Sequence, residues 1–192
     1  MNMSDILERI MAVCRFLAGI VFVTAVILLL LLLVMLFSEN MHWNKIDFTA
    51  AGLLLAGTGI MYKLTAAKSG DLVFRVAAAI SLSAIVFLVW LNLAVGLIGT
   101  EDNPLNLMVW AVVAVAIIGA FTARFQSRGM SHAMFAAALM QIVVGLIGVW
   151  LSPPGEAVKT VLLNAIFVIL FVASALMFQR AACKAASADS DL

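Results

Sequence analysis

The chain has 192 residues, of which 66% are hydrophobic and 11% are charged, and its mean hydropathy is +1.20. Soluble domains are roughly half apolar and a quarter charged, so this composition excludes an ordinary water-soluble protein and predicts an integral membrane protein. The 11 basic and 10 acidic residues leave a net charge of only +1, which excludes a concentrated basic face for nucleic acid.

Six apolar runs, each about long enough to cross a bilayer, follow one another along the chain. They are residues 16–37, 46–62, 76–99, 105–122, 133–151 and 161–178. The runs lack the alternation of barrel strands, and only helices or closed barrels satisfy the backbone in hydrocarbon, so the sequence predicts an all-α protein with six transmembrane helices. The first run is too long for a signal-peptide core and no cleavage site follows it, so we interpret it as a retained signal anchor.

The basic residues between the runs predict the orientation. If all six runs cross, nine Lys and Arg fall on one side and two on the other. The nine are Arg9, Arg15, Lys63, Lys68, Arg75, Arg124, Arg128, Arg180 and Lys184, and the two are Lys45 and Lys159. By the positive-inside rule, both termini are expected in the cytoplasm.

A thirteen-residue segment recurs at an offset of 49 residues. Residues 92–104 and 141–153 are identical at six positions, including the pentapeptide Val-Gly-Leu-Ile-Gly. Either spans three to four and five to six are two copies of one hairpin, or two apolar segments match by chance. The organisation predicted is a two-span addition over 1–70, a four-span bundle over 71–180 and a disordered cytoplasmic tail over 181–192.

Neutral amides are the polar residues inside the predicted spans that most need an explanation, because a buried amide without a partner is costly in hydrocarbon. Asn92, Gln141 and Asn164 are of this kind. They are expected to serve as hydrogen-bonding contacts between helices. The sharper hypothesis is that they converge with Asn106, Glu101 and Asp102 to line an outward-facing polar cavity. The sequence leaves both interpretations open.

The stretch Thr100-Glu-Asp-Asn-Pro104 is the most distinctive short motif. In its simplest interpretation Asn103 caps the fourth span, Pro104 lies in the first helical turn, and the two carboxylates favour the positive helix end. A cation or partner site on Glu101 and Asp102 is the alternative, although two carboxylates do not specify a metal.

Motifs for catalysis, metal binding or phosphate binding are missing from the sequence, and no carboxylate or lysine lies at the centre of a span. We therefore expect no enzyme, no cofactor, no metal and no catalytic residue. Three pairs of small residues at helical spacing are candidate faces for partner helices. They are Gly52 with Ala56, Ala79 with Ser83, and Ala116 with Ala120.

Residues 75–180 resemble a family of small, uncharacterised bacterial inner-membrane proteins. The resemblance is carried by residues 89–108, by Ala-Arg-Phe at 123–125 and by Arg-Gly-Met at 128–130, and the Gly-Thr-Glu-Asp-Asn-Pro stretch over 99–104 is its most specific part. It implies a four-span unit in a bacterial cytoplasmic membrane, with two spans added here, and it implies no activity.

The function expected from the sequence is that of a non-catalytic accessory or scaffold subunit, which acts through helix contacts in the lipid bilayer with another membrane protein or a second copy. The competing expectation is a small channel or transporter, because of the repeated hairpin and the amides.

Overall fold

The computed structural model describes residues 18–21, 24–27, 45–67, 69–94, 96–99, 103–151 and 155–190, together with Met11, Arg15 and Leu29. Helices account for most of these residues and none of them is in a strand, which confirms the all-α prediction. Most of the first predicted span, 16–37, lies outside the described residues. Contacts divide the chain into two units, 1–61 and 62–192, and each unit is described by itself.

The first unit contains the greater part of helix α1, which extends from Lys45 to Ala66. A Cβ added at Gly59 would lie 3.0 Å from Cγ1 of Ile20, so the helical residues around Ile20 approach α1 closely. The apolar stretch Ala51–Ala66 is shorter than a bilayer-crossing helix. The second predicted run is therefore helical, whereas its crossing of the membrane remains a prediction.

The second unit contains four helices long and apolar enough to cross a membrane. Helix α2 extends over Leu72–Ala94, α3 over Val109–Thr122 after a 3-10 helix at Pro104–Met108, α4 over Ser127–Leu151, and α5 over Ala157–Ser190. Consecutive helices run in opposite directions. We name the two ends of this unit the Asp71 end, where α2 starts, and the Pro104 end, where α2 stops.

Helix α5 packs against both α2 and α4, and α4 packs against α3. The half of the core near the Asp71 end is apolar and aromatic, with Phe167, Phe171 and Phe178 fully buried on α5. The ring of Phe178 packs edge to face against the ring of Phe74 in α2, with 5.2 Å between the ring centroids. Serine hydroxyls in this half bind backbone carbonyls: Ser174 Oγ donates to Ala77 and Ser81 Oγ to Ala78, each at 3.0 Å.

Small residues bring α3 and α4 together. A Cβ added at Gly119 would lie 2.7 Å from the Cβ of Ala133, so only glycine permits this approach. Ala116 and Ala120 are buried at the same contact. The prediction that this pair forms a face for a partner helix is therefore wrong, because the chain's own packing buries it.

Two helix ends differ from the predictions. The third run was expected to be helical to Gly99, but α2 stops at Ala94. Helix α5 continues to Ser190, where a disordered tail was expected over 181–192. Alanine-rich sequence favours this extension, and Lys184 Nζ pairs with Asp71 Oδ1 at 2.8 Å, which ties the extension to the start of α2.

Candidate functional site

The candidate site is built around residues 96–99, which follow the end of α2 at Ala94 and precede the 3-10 helix that begins at Pro104. We call these four residues the interruption. Residues 96–99 are not helical, and Gly96 and Gly99 have φ angles of 72° and 69°. Glycine adopts this left-handed region without steric penalty. All four residues are buried, and Leu97 and Ile98 are fully inaccessible. Irregular backbone at membrane depth is tolerated where protein surrounds it and satisfies its polar groups.

Asn106 satisfies the backbone donors of this interruption. Its Oδ1 accepts hydrogen bonds from the backbone N–H of Leu97 at 3.0 Å and of Ile98 at 2.9 Å. In a continued helix these two N–H groups would bind the carbonyls of Leu93 and Ala94. Asn106 is 6% exposed and lies in the 3-10 helix, which Asn103 caps by accepting from the N–H of Leu105. The cap predicted at Asn103 and Pro104 is thereby confirmed.

Helix α5 satisfies carbonyl groups of the same segment. Asn164 Nδ2 donates to the carbonyl of Thr160 at 2.7 Å and contacts the carbonyl of Leu97 at 3.5 Å. Lys159 Nζ donates to the carbonyl of Gly99 at 3.1 Å. Side chains of the 3-10 helix therefore bind backbone N–H groups of residues 97–99, and side chains of α5 bind their carbonyl groups.

Gln141 of α4 joins this network through Asn164. Its Nε2 donates to Asn164 Oδ1 at 2.7 Å, and both residues are buried. The two helices come close because Gly145 and Gly148 lack side chains: an added Cβ would lie 3.1 Å from Asn164 Cβ at Gly145 and 3.2 Å from Thr160 Cγ2 at Gly148. The interhelical amide contact predicted for Gln141 and Asn164 is thus present.

The two copies of Val-Gly-Leu-Ile-Gly adopt different conformations. In the copy over 95–99, the four described residues are not helical, whereas the copy over 144–148 lies inside α4. They also touch each other, since Ile98 packs where a side chain at Gly148 would lie. A match in sequence at this point is therefore not a match in structure.

Four buried side-chain oxygens have no hydrogen-bond partner within the part of the chain that the structure describes. They are Asn92 Oδ1, Gln141 Oε1, Glu156 Oε2 and Thr160 Oγ1. Glu156, Thr160 and Asn164 follow one another at intervals of four residues and so share one face of the start of α5. All four oxygens belong to the half of the unit near the Pro104 end.

The structure brings together three of the six residues predicted to line a cavity. Asn106 and Asn164 both contact the backbone of residues 97–98, and Gln141 joins them by donating to Asn164. Asn92 does not join them through its oxygen: it is buried on α2, at 6% exposed, and its Oδ1 has no hydrogen-bond partner among the described residues. Glu101 and Asp102 lie outside the described residues. Gln141 and Asn164 bind each other, whereas Asn106 is joined to them through the backbone of residues 97–98. No described distance shows the three opening onto a shared cavity.

Sequence reasoning missed Glu156, Lys159 and Thr160. The spacing of Glu156, Thr160 and Asn164 at four-residue intervals was the available signal, because it places three polar side chains on one helix face. From the sequence, Lys159 counts only as one of the two basic residues on the outer side. Its bond to the carbonyl of Gly99 depends on where α2 ends, which the sequence did not predict.

An open groove lies between α4 and α5 beside this network. Its volume is about 280 Å³, and apolar side chains such as Leu146 and Ile169 line it together with Gln141 and Asn164. Leu146 and Ile169 are each 65% exposed. In a bilayer this groove would face lipid, so the amides lie at the base of an otherwise apolar surface.

The electrostatic features of the described residues are sparse. Among them, no group of three or more His, Cys, Asp and Glu could hold a metal ion. Outside the membrane-spanning segments, the hydrogen bond from Lys184 lowers the pKa of Asp71 below its ordinary value of 3.8. The backbone N–H of Phe74 also contacts this carboxylate, at 3.4 Å. The network described above consists mainly of neutral amides and backbone groups, which can bind a polar ligand but offer no nucleophile with an adjacent base.

Comparison with known proteins gives no relative for this chain: no family model, no curated protein and no solved structure shows a significant match.

Proposed function

We propose that the chain is a non-catalytic integral membrane protein that serves as an accessory or scaffold subunit through helix contacts. Its six spans lie in a bacterial cytoplasmic membrane with both termini inside. The excess of basic residues on one side supports this orientation. The resemblance over residues 75–180 supports the location.

The observation that carries the proposal is an uncovered small-residue face on α2. Ser83 is exposed, Ala79 is half-buried, and neither is used in the bundle core as Ala116 and Ala120 are. Val76 and Phe87, which are 38% and 50% exposed, flank the pair on the same side of the helix. Small residues between larger apolar ones let a second helix approach closely. Ser83 also brings a hydroxyl to a surface that would otherwise face only lipid.

The test is co-purification from native cells after extraction in a mild detergent. The variant Ala79→Leu/Ser83→Leu is expected to lose a partner, or a second copy, that the unaltered chain retains. A matched control is Ala114→Leu/Ala136→Leu, which adds similar bulk at exposed positions of α3 and α4. A chain that runs only as a monomer without partners, or equal losses in both variants, would contradict the proposal.

The second candidate is a small channel or transporter. Irregular backbone inside a helical membrane protein often marks the site where a solute or ion binds, and the interruption over 96–99 together with the converging amides favours this reading. Solute flux into liposomes should then fall in Asn92→Leu/Gln141→Leu. Flux that this double variant leaves unchanged would remove the main support for transport.

A further inference from the structure

The partnerless side-chain atoms of the Pro104 end are all oxygens. Asn92 is 6% exposed, and Gln141 and Thr160 are fully buried, yet each keeps one oxygen without a hydrogen-bond donor. No buried nitrogen of the described side chains is left without an acceptor. The amide oxygens of Asn92 and Gln141 can only accept, so the group that completes them must bring a positive charge or hydrogen-bond donors. The Thr160 hydroxyl can offer its oxygen to the same group and keeps its proton for a second partner.

Helix geometry places Asn92 and Thr160 at one depth of the bundle. Helices α2 and α5 are antiparallel, with Ala77 bound to Ser174. Moving forward along α2 from Ala77 and the same distance back along α5 from Ser174 reaches Asn92 on one helix and Lys159 and Thr160 on the other. These residues therefore lie at the same depth in the bundle. Asn92 also lies on the buried stripe of α2 that contains Ala77, Ala84 and Leu88. The two oxygens do not bind each other at this shared depth, so a small group that fits between α2 and α5 could bind both.

The end of α2 adds further acceptors beside Asn92. Because Asn106 takes the N–H groups of Leu97 and Ile98, the carbonyls of Leu93 and Ala94 lose the donors that a continued helix would give them. The carboxyl end of a helix also carries partial negative charge, which favours a cation. Helix ends inside transporters bind Na⁺ through freed carbonyls, and α2 likewise ends at Ala94, before the 3-10 helix begins at Pro104.

The charge of the site favours a monovalent ion. Its buried oxygens are neutral amide and hydroxyl groups, and Glu156, the one carboxylate that the described residues place near it, lies a turn further out than Thr160. The negative charge of Glu156 compensates the partial positive charge at the amino-terminal end of α5. The Lys159 ammonium is already bound to the carbonyl of Gly99. A divalent ion is held by several carboxylates, which the described residues do not place here.

We propose that a monovalent metal cation, Na⁺ or K⁺, binds between α2 and α5 at the Pro104 end, with Asn92 Oδ1 and Thr160 Oγ1 as ligands and Gln141 Oε1 on its inner side. The site does not depend on either function proposed above. A scaffold subunit can hold a structural ion, and a transporter can couple to one.

The test measures ion binding on the purified full chain in detergent. Radioactive Na⁺ should bind saturably, and NaCl or KCl should raise the unfolding temperature relative to choline chloride of the same ionic strength. The rise expected at about ten times the Kd is roughly 3 to 6 °C. Choline is too large for the site, so the comparison removes general screening by salt.

Thr160→Val is the decisive variant because it removes the hydroxyl and keeps the methyl group that packs against Gly148. Its ion affinity should fall by at least roughly tenfold. Thr122→Val is the matched control, since that hydroxyl is exposed and bonds only its own helix, and it should leave binding unchanged. If Thr160→Val does not fold, Asn92→Leu should abolish the ion response instead.

Two results would overturn the proposal. Equal unfolding temperatures in NaCl, KCl and choline chloride, without saturable Na⁺ binding, would show that water and not a metal ion binds the oxygens of Asn92, Thr160 and Gln141. An ion response retained in both Thr160→Val and Asn92→Leu would place the ion elsewhere. Loss of the partner in the co-purification experiment would not affect either readout, so the two proposals fail separately.

Discussion

Removal of the Asn106 side chain tests the role of the interruption most simply. In Asn106→Ala the backbone N–H groups of Leu97 and Ile98 both lose their acceptor in a buried position. A buried donor without a partner costs about 1 to 3 kcal/mol in proteins generally, whereas hydrogen bonds between membrane helices average about 0.6 kcal/mol. We therefore expect the free energy of unfolding to fall by about 1 to 6 kcal/mol for the two bonds together.

The assay is reversible unfolding by sodium dodecyl sulfate in mixed micelles, followed by circular dichroism. Leu107→Ala is the control, since Leu107 lies in the same 3-10 helix but is 69% exposed. Its truncation should have a small effect because little of it packs inside the unit. If Asn106→Ala unfolds within about 0.5 kcal/mol of the unaltered chain, the two bonds do not hold the segment and the reasoning fails.

Three further predictions concern the same unit. Gly99→Ala should lower the unfolding temperature, because Gly99 has a positive φ and an added Cβ would lie 3.1 Å from Glu156 Oε2. Gln141→Leu and Asn164→Leu should each destabilise the unit, and their double variant should lose less than the two effects added together, because the amides bind each other at 2.7 Å. Lys184→Met should raise the pKa of Asp71 in a carbon-13 NMR titration of its carboxyl group, because the hydrogen bond from Lys184 lowers that pKa.

The controls for these predictions are available in the chain. Gly57→Ala adds the same methyl group in α1 where nothing lies within 4 Å, so it should not destabilise the protein. Additive effects of Gln141→Leu and Asn164→Leu would show that the pair makes no coupled contact.

The pH dependence of stability at Asp71 follows from linkage. A carboxyl pKa lowered by folding gives stability that is present above the unfolded-state pKa and is lost as the pH falls through the folded-state pKa. Stability that increases on acidification through this range in the unaltered chain but not in Asp71→Asn would contradict it.

The general architecture of the second unit could be predicted from composition. Uninterrupted apolar runs located its four helices to within a few residues at most ends, because a span must be helical and about 20 residues long. The turn at Asn103 and Pro104 was also predictable, since capping depends on residues adjacent in sequence.

The interruption could not be predicted from local sequence. Val-Gly-Leu-Ile-Gly is helical over 144–148, whereas the described residues of the other copy, 96–99, are not helical. Contacts distant in sequence make this difference, because Asn106, Lys159 and Asn164 supply the partners that the backbone gives up. Apolar periodicity contains no information about such contacts, and it therefore extended the third span to Gly99.

Backbone chemical shifts of the two Leu–Ile peptide bonds would test the interruption directly. The sequence contains this dipeptide only at 97–98 and 146–147, so solid-state NMR of the chain in lipid, with carbon-13 in leucine carbonyls and nitrogen-15 in isoleucine, would give two signals. The structure predicts that one carries helical shifts and the other does not, and that Asn106→Ala moves only the second. Two signals with helical shifts would contradict the account, since α2 would then continue through residues 97–98.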